Sequence, residues 1–173
     1  MKPIKVVILG TESVGKSTMV TLLSNYFNGI PVYEVGRDVV EKSDECTYED
    51  LIRIKYLHAE AILNAEEIKN KRYIFIDTDI NITKSYSHFL FKRDLPVESE
   101  IENTNKADIY LYLDKDVEYV DDGTRLNLKD RNDLDTCHKF ILYYSNIKCY
   151  HIKGSYKERF EKCVSIVSSF KNN

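Results

Sequence analysis

Eight consecutive residues near the N-terminus, Gly10-Thr11-Glu12-Ser13-Val14-Gly15-Lys16-Ser17, fit the pattern GxxxxGK[ST] and leave few folds open. They follow Ile4-Lys5-Val6-Val7-Ile8-Leu9, a β-branched and almost continuously apolar run of the kind a strand buried on both faces needs. A helical segment, 16–27, comes directly after them. Strand, glycine loop and helix in that order form a phosphate cradle. The glycines let the backbone wrap the phosphates, and the amides of the loop and helix start point at them. Gly10, Ser13, Val14, Gly15, Lys16, Ser17 and Thr18 are therefore expected to bind ATP. Lys16 would reach the β- and γ-phosphates, and the Ser17 hydroxyl would ligate Mg²⁺.

The rest of the chain repeats the alternation of strand and helix. Further strand-like runs are Pro31–Val35, Tyr73–Ile76, Ile109–Leu113 and Ile147–Ile152. Thr47-Tyr48-Glu49-Asp50 reads as a capping box opening a helix to about Asn70, and Ser155-Tyr156-Lys157-Glu158 as a second. Behind the second box Phe160, Cys163, Val164, Val167 and Phe170 recur at helical spacing, so the last helix should lay one face on the sheet. Strands separated by helices imply right-handed βαβ crossovers and a mainly parallel α/β sheet. No repeat, low-complexity tract or linker divides the 173 residues, which read as a single domain. The polar stretch 114–133 is expected to be a mobile lid over a site.

Composition excludes several function classes. With 25 basic and 28 acidic residues the net charge is −3, which offers no nucleic acid a basic footprint. No apolar run approaches the ~20 residues of a membrane span, and Ile4–Leu9 is too short for a signal-peptide core, so the expected compartment is the cytoplasm. Cys46, Cys137, Cys149 and Cys163 form no CxxC pair, and the four histidines, His58, His88, His138 and His151, stand apart without metal-ligand spacing.

A phosphate loop does not specify a reaction. Asn105-Lys106-Ala107-Asp108 matches the guanine-reading NKxD of GTPases, but it precedes an apolar run instead of following one, and no DxxG follows Tyr73–Ile76. Asp77 ends an apolar strand, where a carboxylate can hold the magnesium shell; the alternative is a helix N-cap. Asp79 could cap the following helix or face the substrate. Glu34 lies near a strand end with Gly36, Arg37 and Asp38 after it. A carboxylate on the carboxyl side of a parallel sheet can accept a hydroxyl proton, and an arginine can orient substrate or phosphate. The polar stretch adds Asp121, Asp122, Gly123, Arg125 and Arg131. Arginines on a closing cover would stabilise developing charge and exclude water.

Together these segments resemble the ribosylnicotinamide kinase domain of the NadR-type proteins of NAD salvage. The resemblance is carried by Gly10 to Thr18, Val32-Tyr33-Glu34-Val35-Gly36-Arg37, and Ile76-Asp77-Thr78-Asp79 with Thr83 and Ser87. It continues through Ala107-Asp108 and Ile109–Leu113 to Val120-Asp121-Asp122-Gly123-Thr124-Arg125 and Arg131. It implies a P-loop three-layer sandwich with a five-stranded parallel sheet, and transfer of the ATP γ-phosphate to the 5′-hydroxyl of nicotinamide riboside, a small-molecule nucleoside. By position it assigns Lys16, Glu34, Asp79, Arg125 and Arg131 to catalysis and Ser17 and Asp77 to Mg²⁺. Glu34, Arg37, Asp79, Tyr86, Tyr119 and Asp122 fall to the acceptor. Tyr86 and Tyr119 stand where the family commonly carries tryptophan, and the adenylyltransferase and DNA-binding domains of longer relatives have no counterpart in these residues. Two other readings stay open: a kinase for another nucleoside or nucleotide, thymidine or thymidylate for instance, and a nucleotide-binding switch with negligible turnover.

Overall fold

The computed structural model describes residues 2–40, 45–119 and 126–170. Its frame is a five-stranded, wholly parallel sheet in the order β2-β3-β1-β4-β5. The strands are β1 (Ile4–Leu9), β2 (Ile30–Val32), β3 (Tyr73–Asp77), β4 (Ile109–Leu113) and β5 (Tyr150–Ile152). Between them run α1 (Lys16–Phe27), α2 (Gly36–Val39), α3 (Tyr48–Glu67), α4 (Ile80–Phe91), α5 (Ser99–Asn105) and α6 (Leu128–Tyr144), with α7 (Tyr156–Ser169) after β5.

Period-two alternation divides the core between the two faces. Ile4, Val6 and Ile8 of β1, Phe75 of β3 and Leu111 of β4 pack with α1 and α7. Val7, Leu9, Ile74, Ile76 and Tyr112 point the other way, toward Ile62 of α3, Ile82 of α4 and Leu142 of α6. Every residue of β1 is buried, as a central strand covered on both faces requires. The register sets Ile8 beside Asp77, so the loop after β1 and the carboxylate ending β3 leave the sheet together. Both capping boxes form: Thr47 with Asp50 opens α3, and Ser155 with Glu158 opens α7.

Four expectations need correction. β2 stops at Val32, so Glu34 lies on the turn into the short α2 and not in a strand. β5 begins at Tyr150 rather than Ile147, because Ile147 N turns back to cap α6 at the Leu142 carbonyl. α3 ends at Glu67, short of Asn70. Residues 128–133 are helix and not loop: they form the start of α6, capped by Asn127, whose side chain accepts from the Asp130 amide. The Val120–Arg125 core of the expected lid lies outside the described residues. Among those described, no helix is long and apolar enough to cross a membrane.

Candidate active site

The loop between β1 and α1 is shaped by conformations only a few residues tolerate. Gly10 sits at φ 139°, and a Cβ there would lie 2.6 Å from the Leu113 carbonyl oxygen. Gly15, at φ 88°, would drive a Cβ to 2.8 Å from the Tyr156 ring. Arg159 of α7, fully buried, braces this turn from behind. It donates from Nη1 to the Val14 carbonyl at 3.2 Å, from Nη2 to the Asp114 carbonyl at 2.7 Å and from Nε to the Gly154 carbonyl at 2.8 Å, and it pairs with Asp116. The other side of the loop is braced by Arg131 of α6, 2% exposed, whose Nε donates to the Glu12 carbonyl at 2.9 Å.

Lys16 folds back over the loop, its Nζ donating to the Thr11 carbonyl at 3.0 Å. The Ser17 hydroxyl donates to Asp77 Oδ2 at 2.6 Å. Asp77 Oδ1 is buried and has no hydrogen-bond partner among the described residues. Burial pushes the Asp77 carboxyl above its ordinary value, opposed by Lys16 and by the Ser17 bond. A hydroxyl beside a carboxylate with one open oxygen is the oxygen-rich donor set that suits a hard divalent cation, so these residues fit Mg²⁺. Thr78, next in sequence, holds φ 67°, a strained value for a β-branched residue.

A cavity of about 560 Å³ opens from this loop. Lys16, Ser17 and Thr18 line it together with Glu34 of the β2–α2 turn, Arg37 of α2, His58 of α3 and Tyr86 of α4. Glu34 is half-buried, and the removal of water around its carboxyl pushes its pKa up, against the pull of Lys16. His58 Nε2 meets the Thr78 carbonyl at 3.3 Å, and burial holds its ring toward the neutral form. The Tyr86 hydroxyl donates to Glu12 Oε1 at 2.9 Å, and its ring lies 5.7 Å from that of His138.

The structure brings together Gly10, Ser13, Val14, Gly15, Lys16, Ser17, Thr18, Glu34, Arg37 and Tyr86 around one cavity, with Asp77 behind Ser17. It does not bring Asp79 there. Asp79, 1% exposed, is the N-cap of α4: Oδ1 accepts from the Asn81 and Ile82 amides, and Oδ2 from the Asn81 side chain. Burial raises its pKa to about 6 in spite of those bonds. Arg131 is not among the residues that line the cavity and donates from Nε to the loop backbone, and Tyr119 donates to the Leu126 carbonyl at 2.7 Å with its ring 5.4 Å from the Arg131 guanidinium. Asp122 and Arg125 lie outside the described residues. The NKxD-like segment is structural: Asn105 accepts from the Ile80 amide, and Asp108 accepts from the Lys5 amide. Glu12, His58 and His138 also line the cavity and were not legible as site residues, since no spacing rule singles them out.

A family model described as "AAA domain" matches residues 5–159. The trifunctional NAD biosynthesis/regulator protein NadR of Salmonella typhimurium is 34% identical over 170 residues, covering 94% of this chain and 41% of that protein. Its Escherichia coli counterpart is 33% identical over the same length and coverage. The chain thus spans about two fifths of the length of these relatives. A crystal structure of NadR protein in complex with NR superposes with a TM-score of 0.77 at 22% identity, over 95% of this chain and 50% of that one. Thymidylate kinase from Candida albicans superposes at 0.68 with 13% identity, over 97% and 92% of the two chains. At these identities the two structures speak for the fold.

Proposed function

Because the chain belongs to the AAA domain family and is homologous to NadR, we propose that it is an ATP-dependent kinase that phosphorylates the 5′-hydroxyl of nicotinamide riboside, giving nicotinamide mononucleotide. The observation that carries this reading is one cavity lined jointly by Lys16 and Ser17, by Glu34 and Arg37, and by the rings of Tyr33 and Tyr86. Residues 1–173 act in this reading as one domain, with a small molecule as partner.

In the reaction, the loop amides and Lys16 hold the β- and γ-phosphates. Ser17 and Asp77 would hold Mg²⁺, which when bound neutralises phosphate charge and orients the γ-phosphoryl group. Arg37, which also lines the cavity, offers a cation to the anionic groups. Glu34 accepts the acceptor's hydroxyl proton as the O5′–Pγ bond forms and the bond from Pγ to the β–γ bridging oxygen breaks, releasing ADP. Burial favours the protonated product form of Glu34 and so strengthens it as a base. Tyr86 presents a ring to the acceptor base, and a cationic nicotinamide ring gains from such a face.

Product detection by mass spectrometry tests the proposal. The protein is incubated with Mg²⁺ and ATP and, in parallel, nicotinamide riboside, thymidine or thymidylate, with Lys16→Ala as the inactive control. Nicotinamide mononucleotide formed faster than any other product is the expected result. Preferred phosphorylation of thymidine or thymidylate would keep the kinase and discard the NAD assignment. No product from any acceptor would favour the nucleotide-binding switch.

A further inference from the structure

Glu12 is a carboxylate set inside a loop whose work is to hold anions, and phosphoryl transfer as described gives it no task. Its contacts point elsewhere. Oε1 accepts from the Tyr86 hydroxyl at 2.9 Å and Oε2 from the Leu126 amide at 2.8 Å. Its carbonyl accepts from Arg131 Nε at 2.9 Å, while the Thr11 hydroxyl donates to the Arg131 carbonyl at 3.3 Å. The loop tip is thereby bound to α6 through its backbone and to α4 through the Glu12 side chain. α4 is also the element that supplies Ile82, Thr83 and Tyr86 to the cavity wall.

We infer that Glu12 is a positioning residue that ties the acceptor-side wall at Tyr86 to the phosphate loop and so sets the approach of the acceptor hydroxyl to the γ-phosphate. The inference rests on the kinase reading above. A hydrogen bond to a carboxylate is short and directional, and Glu12 holds two donors that lie 74 and 114 residues away in sequence. Burial and the neighbouring Glu12 charge push the Tyr86 pKa well above its ordinary value, so the phenol keeps the proton it donates. In-line transfer requires reacting atoms about 3–3.5 Å apart, and a misplacement of about 1 Å can cost about a hundredfold in rate. A carboxylate among phosphates opposes ATP binding by charge alone, so its presence is explained by a geometric task rather than by affinity.

That opposition gives the test a distinctive sign. Glu12→Gln, Tyr86→Phe and the double variant are compared with the unaltered protein in kcat, in ATP affinity by calorimetry, and in ATP consumed per nucleotide product. Glu12→Gln should lower kcat about ten- to a hundredfold. ATP should bind it as well as before or up to about tenfold more tightly, since a negative charge has left the loop. Tyr86→Phe keeps the ring and should lower kcat similarly, with ATP affinity unchanged. The double variant should be no slower than the slower single one, because the two residues form one tie. More ATP should be hydrolysed per product in each, as a poorly placed acceptor yields to water.

Unaltered kcat in Glu12→Gln would overturn the inference, as would losses that multiply in the double variant. Weaker ATP binding together with a lower Tm in Glu12→Gln would also overturn it, since that marks damage to the loop. Any of these with normal transfer by the unaltered protein overturns this inference alone. Failure of the unaltered protein to phosphorylate any nucleoside defeats the kinase reading and the inference with it.

Discussion

Two carboxylates beyond strand ends, Glu34 on the turn after β2 and Asp79 at the cap of α4, have the same chemistry and different environments. Glu34 faces the cavity with Lys16 close enough to pull on its charge, whereas Asp79 spends both oxygens on α4. The proposed general base is therefore Glu34 and not Asp79. Its pKa is raised from 4.5 by burial, and a base acts only when deprotonated. Activity should fall as pH drops through that raised value, so the acid limb of the kcat/KM profile lies above the range of an ordinary glutamate. Glu34→Gln should erase this limb and lower turnover by about 10²–10⁴-fold. A loss below about tenfold would remove Glu34 from the role.

At the scale of elements, the β3–α4 junction gives two neighbouring carboxylates different partners, Ser17 for Asp77 and the first turn of α4 for Asp79. β3 ends at Asp77, Thr78 reverses the chain through φ 67°, and Asp79 starts α4 as its N-cap. Asparagine caps about as well as aspartate, so Asp79→Asn should keep turnover within about tenfold of the original. Asp79→Ala, which orphans the Asn81 and Ile82 amides, should cost about 0.5–2 kcal/mol in denaturant unfolding. A large loss of turnover in Asp79→Asn at unchanged stability would return Asp79 to the reaction. The cap assignment shows how a residue type suited to two tasks is read ambiguously until its helix is located.

Across the whole molecule, buried titratable groups tie stability to pH. His138, 1% exposed and beside the Ser85 hydroxyl, has its pKa lowered to about 3 by burial. An unfolded histidine takes up its proton near 6.5, so between about 6.5 and 3 the unfolded chain holds one more proton from this group, and stability falls as pH falls. Asp79 acts in the opposite sense between 3.8 and about 6, where the folded state holds the extra proton. His138→Gln should reduce the acid-side loss of unfolding free energy by up to ~1.4 kcal/mol per pH unit, measured by urea titrations between pH 6 and 4. Parallel pH curves for the two proteins would mean that His138 charges as readily folded as unfolded.

The amino-acid sequence by itself determined the short-range features. A glycine loop after an apolar strand, two capping boxes, and apolar runs spaced by helices each depend on residues within a few positions of one another. Their physics is local, and β1, α1 and β4 match the expected ranges residue for residue. The tertiary structure decided what the polar side chains do. The crossovers of a parallel sheet set Glu12 against Tyr86 and Arg131 against the loop carbonyl, across 74 and 119 residues. No spacing rule reaches that far. A buried polar group must find a partner wherever the packed chain supplies one, and only the packing says which partner is there.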